Sequence, residues 1–241
     1  MSAANPPPVS NEREVTNAEL VRFFSVLSHD LKSPIFSIDG FSDLLMSDYE
    51  DRLDEEGKDF IRRIRSSAQQ MKRVLDEMSH LVKLLSKPSQ PRPTALGELL
   101  EEVLVKYSRS IDEGGVTVEV PADLPTITVD PEKTRELLGA LVSNALFFND
   151  RSKGERKVSI TCERDGDGYK ICVADNGIGF EPQYTSQILE LGLKLDKSRG
   201  GGPGYGLYLV KRLAEGHGGS LTAESALGAG SRFCVTFPAQ S

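Results

Sequence analysis

The stretch Asn17–Ser47, NAELVRFFSVLSHDLKSPIFSIDGFSDLLMS, decides the architecture of the first third of the chain. From Leu20 its apolar residues recur at Phe24, Leu27, Leu31, Ile38, Phe41 and Leu45, mostly in alternating steps of three and four, as one buried seam along a helix requires. Thr16 and Asn17 are good N-caps, so the helix is expected to run from there to about Ser47. With Leu27 at position d of a heptad, His29 falls at f and its imidazole points to solvent, opposite the seam. Pro34 removes the helical hydrogen bond to the Asp30 carbonyl and presses against it, so the helix should bend beside His29.

An acidic turn from Asp48 to Gly57 follows. A second stripe then runs through Ile61, Ile64, Ala68, Met71, Leu75, Met78, Val82 and Leu85 in an unbroken a/d pattern, and such a stripe needs a partner. Two helices joined by a short loop form an antiparallel hairpin, but one hairpin leaves each seam half covered. A second copy would complete a four-helix bundle, so a homodimer is expected. Arg62, Arg63, Arg65, Lys72 and Arg73 make Lys58 to Lys87 locally basic, either a solvated face or a docking face for an acidic partner.

The prolines at 88, 91 and 93 in KPSQPRPTAL interrupt helix and mark a linker. Beyond them a helix is expected from Leu96 to about Ser110, β-prone runs at Val116–Val120 and Thr126–Val129, and a helix opened by Asp130-Pro131 and ending near Phe148. Strands follow at Lys157–Arg164 and Tyr169–Ala174, then an irregular stretch from Glu181 to Gly202, a helix from Gly204 to about Glu215, and strands near Ser220–Ser225 and Ser231–Phe237. That pattern is a mixed α/β sandwich, one sheet covered by helices. The division expected is a flexible leader over 1–15, a helical hairpin over 16–87, a linker over 88–95 and an α/β domain over 96–238.

A length of 241 residues exceeds the roughly 100–200 usual for one domain, in keeping with that division. The composition, 38% hydrophobic and 27% charged, is that of a globular protein. No apolar run approaches the roughly 20 residues of a membrane span, and MSAANPPPVSNE lacks the apolar core of a signal peptide, so no membrane segment and a cytoplasmic location are expected. A net charge of −7 speaks against nucleic acid as a partner. Cys162, Cys172 and Cys234 have no metal-ligand spacing and are expected as unpaired, buried small hydrophobes.

Three segments carry chemistry. In LSHDLKSP, Leu27 to Pro34, Asp30 can take the Nδ1 proton of His29 and leave Nε2 to attack, which suits an exposed phosphoryl acceptor. His80 is also preceded by Ser and also at f, but it is followed by Leu81 and lacks the acid. Asp175-Asn176-Gly177-Ile178-Gly179 comes straight after a strand: a carboxylate there can accept from an exocyclic amine, and the glycines let backbone approach a flat base or a phosphate. Gly202-Pro203-Gly204-Tyr205-Gly206-Leu207 opens a helix whose N-terminal amides and dipole favour phosphate. His217-Gly218-Gly219 ends that helix as a structural C-cap.

Ser28 to Pro34 resembles the H box of sensor histidine kinases, the variant with Asp after His being most like the phytochrome-type subgroup. The DNGIG segment is similar to the G1 box, and GPGYGL to the G2 box, of the ATP fold shared by these kinases, gyrases and chaperones. Leu141-Val142-Ser143-Asn144-Ala145 resembles the N box. The resemblance spans Thr16 to Pro238. It implies a dimeric four-helix bundle followed by an α/β sandwich that binds ATP and Mg²⁺. Asp175 would read adenine, Gly177, Gly179, Gly202, Gly204, Gly206 and Leu207 would line the nucleotide, and Asn144 would bind the nucleotide and ligate Mg²⁺ through its amide oxygen. His29 and Asp30 would be the catalytic pair, and the phosphoryl group would pass to an aspartate of a response regulator receiver domain.

The chain departs from the family pattern at three places. Ala140 stands where a first Asn is usual, four residues before Asn144, and Phe147 stands where a phosphate-contacting Lys is usual. Lys194, Lys197 or Arg199, in a lid from about Glu181 to Gly202, could replace the lost charge. Ser33 stands where phosphatase-competent members have Thr or Asn. ATP-hydrolysing relatives carry a glutamate in place of Ala140 to activate water, so hydrolysis as the main activity is not expected. The alternatives are a degenerate dimeric scaffold that binds a response regulator, and a serine kinase of the anti-sigma type, which would need neither His29 nor the long hairpin.

Overall fold

Two long helices, α1 (Ser10–Asp48) and α2 (Glu55–Ser86), form the hairpin. The computed structural model describes residues 10–193, 195 and 204–239, and the chain divides into one unit ending at Lys87 and a second beginning at Pro88. Helix α1 begins at Ser10, ahead of the expected Thr16, so part of the expected 1–15 leader is helical. The acidic turn is shorter than expected because Asp54 caps α2, accepting from the Gly57 N–H at 2.8 Å, and Glu55 and Glu56 sit at the positive end of the helix dipole.

Polar pairs set the register of the hairpin. Lys32 meets Asp76 at 2.7 Å, the Gln69 amide donates to Asp39 at 3.1 Å, and Arg65 meets Asp43 at 2.6 Å. Each pair is equidistant in sequence from Asp54, as antiparallel helices turning there require. Between the helices Ser28, Ile35 and Ser42 of α1 and Ile61, Ala68, Leu81 and Leu84 of α2 are buried. The seam residues Leu27, Leu31, Ile38, Phe41 and Leu45 stay 38–66% exposed, and Ile64 and Met71 of α2 stay 50% and 45% exposed. One hairpin therefore covers each seam in part.

The second unit runs β1 (Arg92–Ala95), α3 (Leu96–Gly114), β2 (Val116–Glu119), β3 (Thr126–Val129), α4 (Pro131–Phe147), β4 (Arg156–Asp165), β5 (Gly168–Asp175), α5 (Gly206–Gly216), β6 (Leu221–Ala226) and β7 (Gly230–Phe237). A five-stranded sheet has the order β2-β4-β5-β7-β6, with β2 parallel to β4 and the other pairs antiparallel. Half of the expected linker is strand β1, which pairs with β3 in a two-stranded sheet where Pro93 tolerates an edge position. Helices α4 and α5 pack on the sheet through Leu137, Leu141, Val210 and Leu213 against the cross-strand rows Ile160–Val173–Phe233 and Ile171–Val235, all buried. Each such side chain contributes about 1.5–3 kcal/mol of burial.

Cys172 and Cys234 are not the unpaired hydrophobes expected. They face each other across β5 and β7 and form a disulfide, leaving Cys162 as the free thiol. Spacing along the chain cannot show this, because the pairing depends on β5 and β7 being neighbours in the sheet.

Asp130 is only 4% exposed and joins three segments. Its carboxylate accepts from Lys133 N at 3.1 Å, capping α4, and from Gln90 N at 2.8 Å, while its own N–H donates to His217 Nε2 at 3.3 Å at the end of α5. His217 Nδ1 in turn donates to the Leu213 carbonyl at 2.7 Å, so the imidazole is the structural C-terminal element expected. Burial pushes the Asp130 carboxyl up, but the amides of Gln90 and Lys133 and the Lys133 charge outweigh it and hold the group below its ordinary value of 3.8. A depressed pKa stabilises the fold above the unfolded value, and that contribution fades as pH falls through the folded value. Asp130→Ala is expected to lower unfolding free energy by about 2–4 kcal/mol near neutral pH, from the lost cap and the orphaned Gln90 amide. Urea unfolding should show this deficit narrowing as pH falls below 3.8.

Candidate functional site

On the hairpin, His29 and Asp30 side chains are 88% and 71% exposed, with Nδ1 of His29 3.3 Å from Oδ1 of Asp30. The preceding Ser28 is buried against α2, so the imidazole stands on the outer face that the heptad assigns to it. A carboxylate on the Nδ1 side favours the Nδ1–H tautomer and leaves the Nε2 lone pair directed outward. Pro34 lies inside α1 one turn beyond Asp30, whose carbonyl it deprives of a helical donor. His80 is exposed as well but has the buried Leu81 after it in place of an acid.

In the second unit Asp175 ends β5, a central strand, and its loop is held from both sides. Asp175 Oδ1 accepts from Gly177 N at 2.8 Å, and Ile178 N donates to the Phe148 carbonyl at 3.0 Å, just past the end of α4. A Cβ at Gly177 would overlap that Phe148 oxygen, and one at Gly179, where φ is +60°, would overlap the Ala226 carbonyl. Those two positions therefore admit only glycine. The Asn176 amide ties the loop to the start of β4, accepting from Lys157 N and donating to the Glu155 carbonyl, both at 2.9 Å. From the other side Gly228 N donates to the Ile178 carbonyl at 2.6 Å, and Phe180 N donates to Ser225 Oγ at 2.8 Å. Burial raises the Asp175 carboxyl from 3.8 to about 6, against the amides of Gly177 and Ser231 and the charge of Lys153, which lower it. It is mostly ionised at neutral pH and acts there as an acceptor.

Ala140, Asn144 and Phe147 share one face of α4 by their spacing of four and three. Asn144 is half-buried, and Phe147 is 45% exposed and packs edge-on to Phe148 with ring centroids 5.0 Å apart. The contact between Asp130 and His217 joins the start of α4 to the end of α5, and the two helices pack together. Running back from that contact, the N-terminus of α5 is roughly level with Asn144, at about 1.5 Å per residue in both helices. Helix α5 starts at Gly206 rather than Gly204; Gly204, at φ +89°, lies in the turn before it, and Leu207 in its first turn is half-buried. Nothing lies within 4 Å of a Cβ on Gly206, so that residue leaves open space before the first amides of α5. Gly202 and the candidate cations Lys194, Lys197 and Arg199 lie outside the described residues.

An ionised carboxylate, a backbone cradle without room for side chains, a hard amide oxygen on α4 and a helix N-terminus fit a purine nucleotide with a magnesium ion. Lys153, Asn176 and Ser225 carry much of this geometry and were not anticipated from sequence. The pair Gly228 and Gly230 was the available signal for the turn that closes on the loop; a single lysine in SKGE offered none.

Residues 19–87 match the family described as the His Kinase A (phospho-acceptor) domain, and residues 129–241 match the histidine kinase-, DNA gyrase B- and HSP90-like ATPase. The chain is 30% identical over 227 residues to phytochrome-like protein Cph1 of Synechocystis, covering 93% of this chain and 30% of that protein. It is 31% identical over 235 residues to cyanobacterial phytochrome B of Nostoc, covering 93% and 30%. The chain thus spans under a third of the length of these relatives. Among solved structures, full-length ShkA in complex with AMPPNP shares 26% identity at a TM-score of 0.66, over 91% of this chain and 46% of that one. The Acinetobacter baumannii histidine kinase AdeS, at 17% identity, shares the fold with a TM-score of 0.60 over 88% of this chain and 98% of that one. Among the described residues no helix is long and apolar enough to cross a membrane. With one match over the hairpin that carries His29 and the other over most of the unit that carries Asp175, the chain belongs to the sensor histidine kinase family.

Proposed function

We propose that the chain is an ATP-dependent histidine autokinase that phosphorylates His29 and passes the phosphoryl group to an aspartate of a response regulator receiver domain. The observation that carries this reading is the exposed His29 with Asp30 on its Nδ1 side. Nε2 of His29 attacks the γ-phosphorus of ATP, the bond to the β–γ bridging oxygen breaks, and ADP leaves. Asp30 keeps the proton on Nδ1 and stabilises the imidazolium that forms. In the second unit Asp175 accepts from the adenine amine, Gly177 and Gly179 give the base its close backbone wall, and Gly202, Gly204, Gly206 and Leu207 receive the phosphates. Asn144 would hold Mg²⁺, which when bound neutralises charge on the phosphates. The hairpin serves as the dimerisation and phosphotransfer domain and the unit from Pro88 on as the ATP-binding domain.

Homodimerisation is supported by the exposed stripe of Leu27, Leu31, Ile38, Phe41, Leu45, Ile64 and Met71. So much apolar side chain on one face of a monomeric hairpin is unfavourable in water, and a second copy presents a matching stripe. The apolar Ala140 and Phe147 on the Asn144 face of α4 support the second reading, a dimeric scaffold with little or no kinase activity.

Incubation with γ-labelled ATP and Mg²⁺ is expected to give acid-labile, alkali-stable label on the wild type and on His80→Gln but none on His29→Gln; a labelled His29→Gln would sink the autokinase, and an unlabelled dimer would favour the scaffold. Sedimentation should find Leu31→Glu monomeric at concentrations where the wild type is dimeric. Asp175→Asn is expected to weaken binding of ATP by at least about tenfold, since its amide cannot serve as an ionised acceptor. A raised pKa means that ionised Asp175 costs stability above about pH 6, so this variant should melt no lower than the wild type at about pH 8. Binding by the wild type should fall as pH drops below about 6, where Asp175 takes up its proton.

A further inference from the structure

Lys153 lies outside every motif that points to the nucleotide, in the loop between α4 and β4, yet its ammonium reaches three backbone carbonyls. Nζ donates to the carbonyls of Asn176, Gly177 at 3.1 Å and Gly228 at 2.7 Å. An ammonium has three N–H donors, and each finds an oxygen. The loop that presents it is itself ordered: Asp150 accepts from Ser152 N at 2.9 Å and from its hydroxyl at 2.7 Å, and Lys153 N donates to the Asp150 carbonyl at 3.2 Å.

The three oxygens belong to the two segments that enclose the Asp175 carboxylate. Asn176 and Gly177 form the loop itself, and Gly228 is in the β6–β7 turn whose N–H donates to Ile178. With the carbonyls of Asn176 and Gly177 gathered on Lys153, the N–H groups of Gly177 and Ile178 are left for Asp175 and Phe148. The direction of the carboxylate thus depends on where those carbonyls are held. We infer that Lys153 is a positioning residue for nucleotide recognition, clamping the Asp175 loop to the β6–β7 turn so that the carboxylate is aimed at the exocyclic amine of adenine. The same ammonium sits close enough to Asp175 to favour its ionised form.

A purely architectural role would show as lost stability, but the sheet ladders and the helix-covered core do not include Lys153, and of its three acceptors the Gly228 carbonyl is exposed enough to be hydrated in its absence while the contacts to Asn176 and Gly177 are only partly buried. The effect of removing the ammonium should therefore fall on base recognition. This inference rests on the reading of Asp175 as the adenine acceptor. In the full-length chain, Lys153→Met and Lys153→Arg are compared with the wild type for displacement of a fluorescent ATP analogue by ATP and by GTP, and for thermal melting. Lys153→Met is expected to lose about tenfold in ATP affinity, with the ATP-over-GTP preference falling toward one and the melting temperature within about 2 °C of the wild type. Lys153→Arg, which keeps several donors on a fixed cation, should recover most of the preference. A Lys153→Met that binds and discriminates as the wild type does overturns the inference, as does one that loses binding and melting temperature together without rescue by Lys153→Arg. If the wild type displaces no analogue, or Asp175→Asn binds as well as it does, the reading of the site fails and the inference with it.

Discussion

The nucleotide-binding unit hangs on one buried carboxylate. Asp130 caps α4, receives Gln90 and meets His217 at the far end of α5, so the relative placement of two helices far apart in sequence is set within a single hydrogen-bonded group. Because the contact joins the start of one helix to the end of the other, it lays them antiparallel and brings the opposite ends of both to the same level. Asn144 and the first amides of α5 then stand at about the same level. A carboxylate so enclosed is tolerable only because its amide donors outweigh the cost of burial.

At that opposite end the constraint is spatial rather than electrostatic. The Phe148 carbonyl accepts from Ile178 and leaves no room for a Cβ at Gly177, and the Ala226 carbonyl does the same at Gly179. The loop is squeezed between the end of α4 and the β6–β7 turn, and the squeeze half-buries Asp175 enough to raise its pKa to about 6. The fold accepts a destabilised carboxylate there, the opposite of the arrangement at Asp130. At Asp175 burial outweighs the amides of Gly177 and Ser231 and the charge of Lys153, while at Asp130 the amides and the Lys133 charge outweigh burial.

Most of the architecture was legible in the residues because it follows from periodicity and caps. The seam spacing gave both helices of the hairpin and their half-covered state, and Asp130-Pro131 marked the start of α4. What stayed hidden depends on neighbours distant in sequence. Cys172 and Cys234 are separated by 62 residues and bond because β5 and β7 are adjacent. β1 lies where prolines suggested a linker, since its partner β3 is more than 30 residues away and edge strands tolerate proline. In the site, Asp175 and the glycines were recognisable because close backbone approach requires them. Lys153 acts on backbone carbonyls, which every residue supplies and no motif records, and Asn176, though inside the recognised segment, acts on the backbone at the start of β4, a neighbour distant in sequence.

The hairpin differs from the second unit in what it leaves unfinished. Its polar pairs, each placed symmetrically about Asp54, fix how α1 and α2 face one another. The interface between them takes Ser28, Ile35 and Ser42, one heptad apart, and therefore turns the a and d residues partly outward. His29 follows Ser28 in sequence, about 100° further round the helix, which puts it on the outer face while the a/d stripe lies on another side. The same register that buries Ser28 thus places the exposed imidazole and the exposed apolar stripe on different sides of α1.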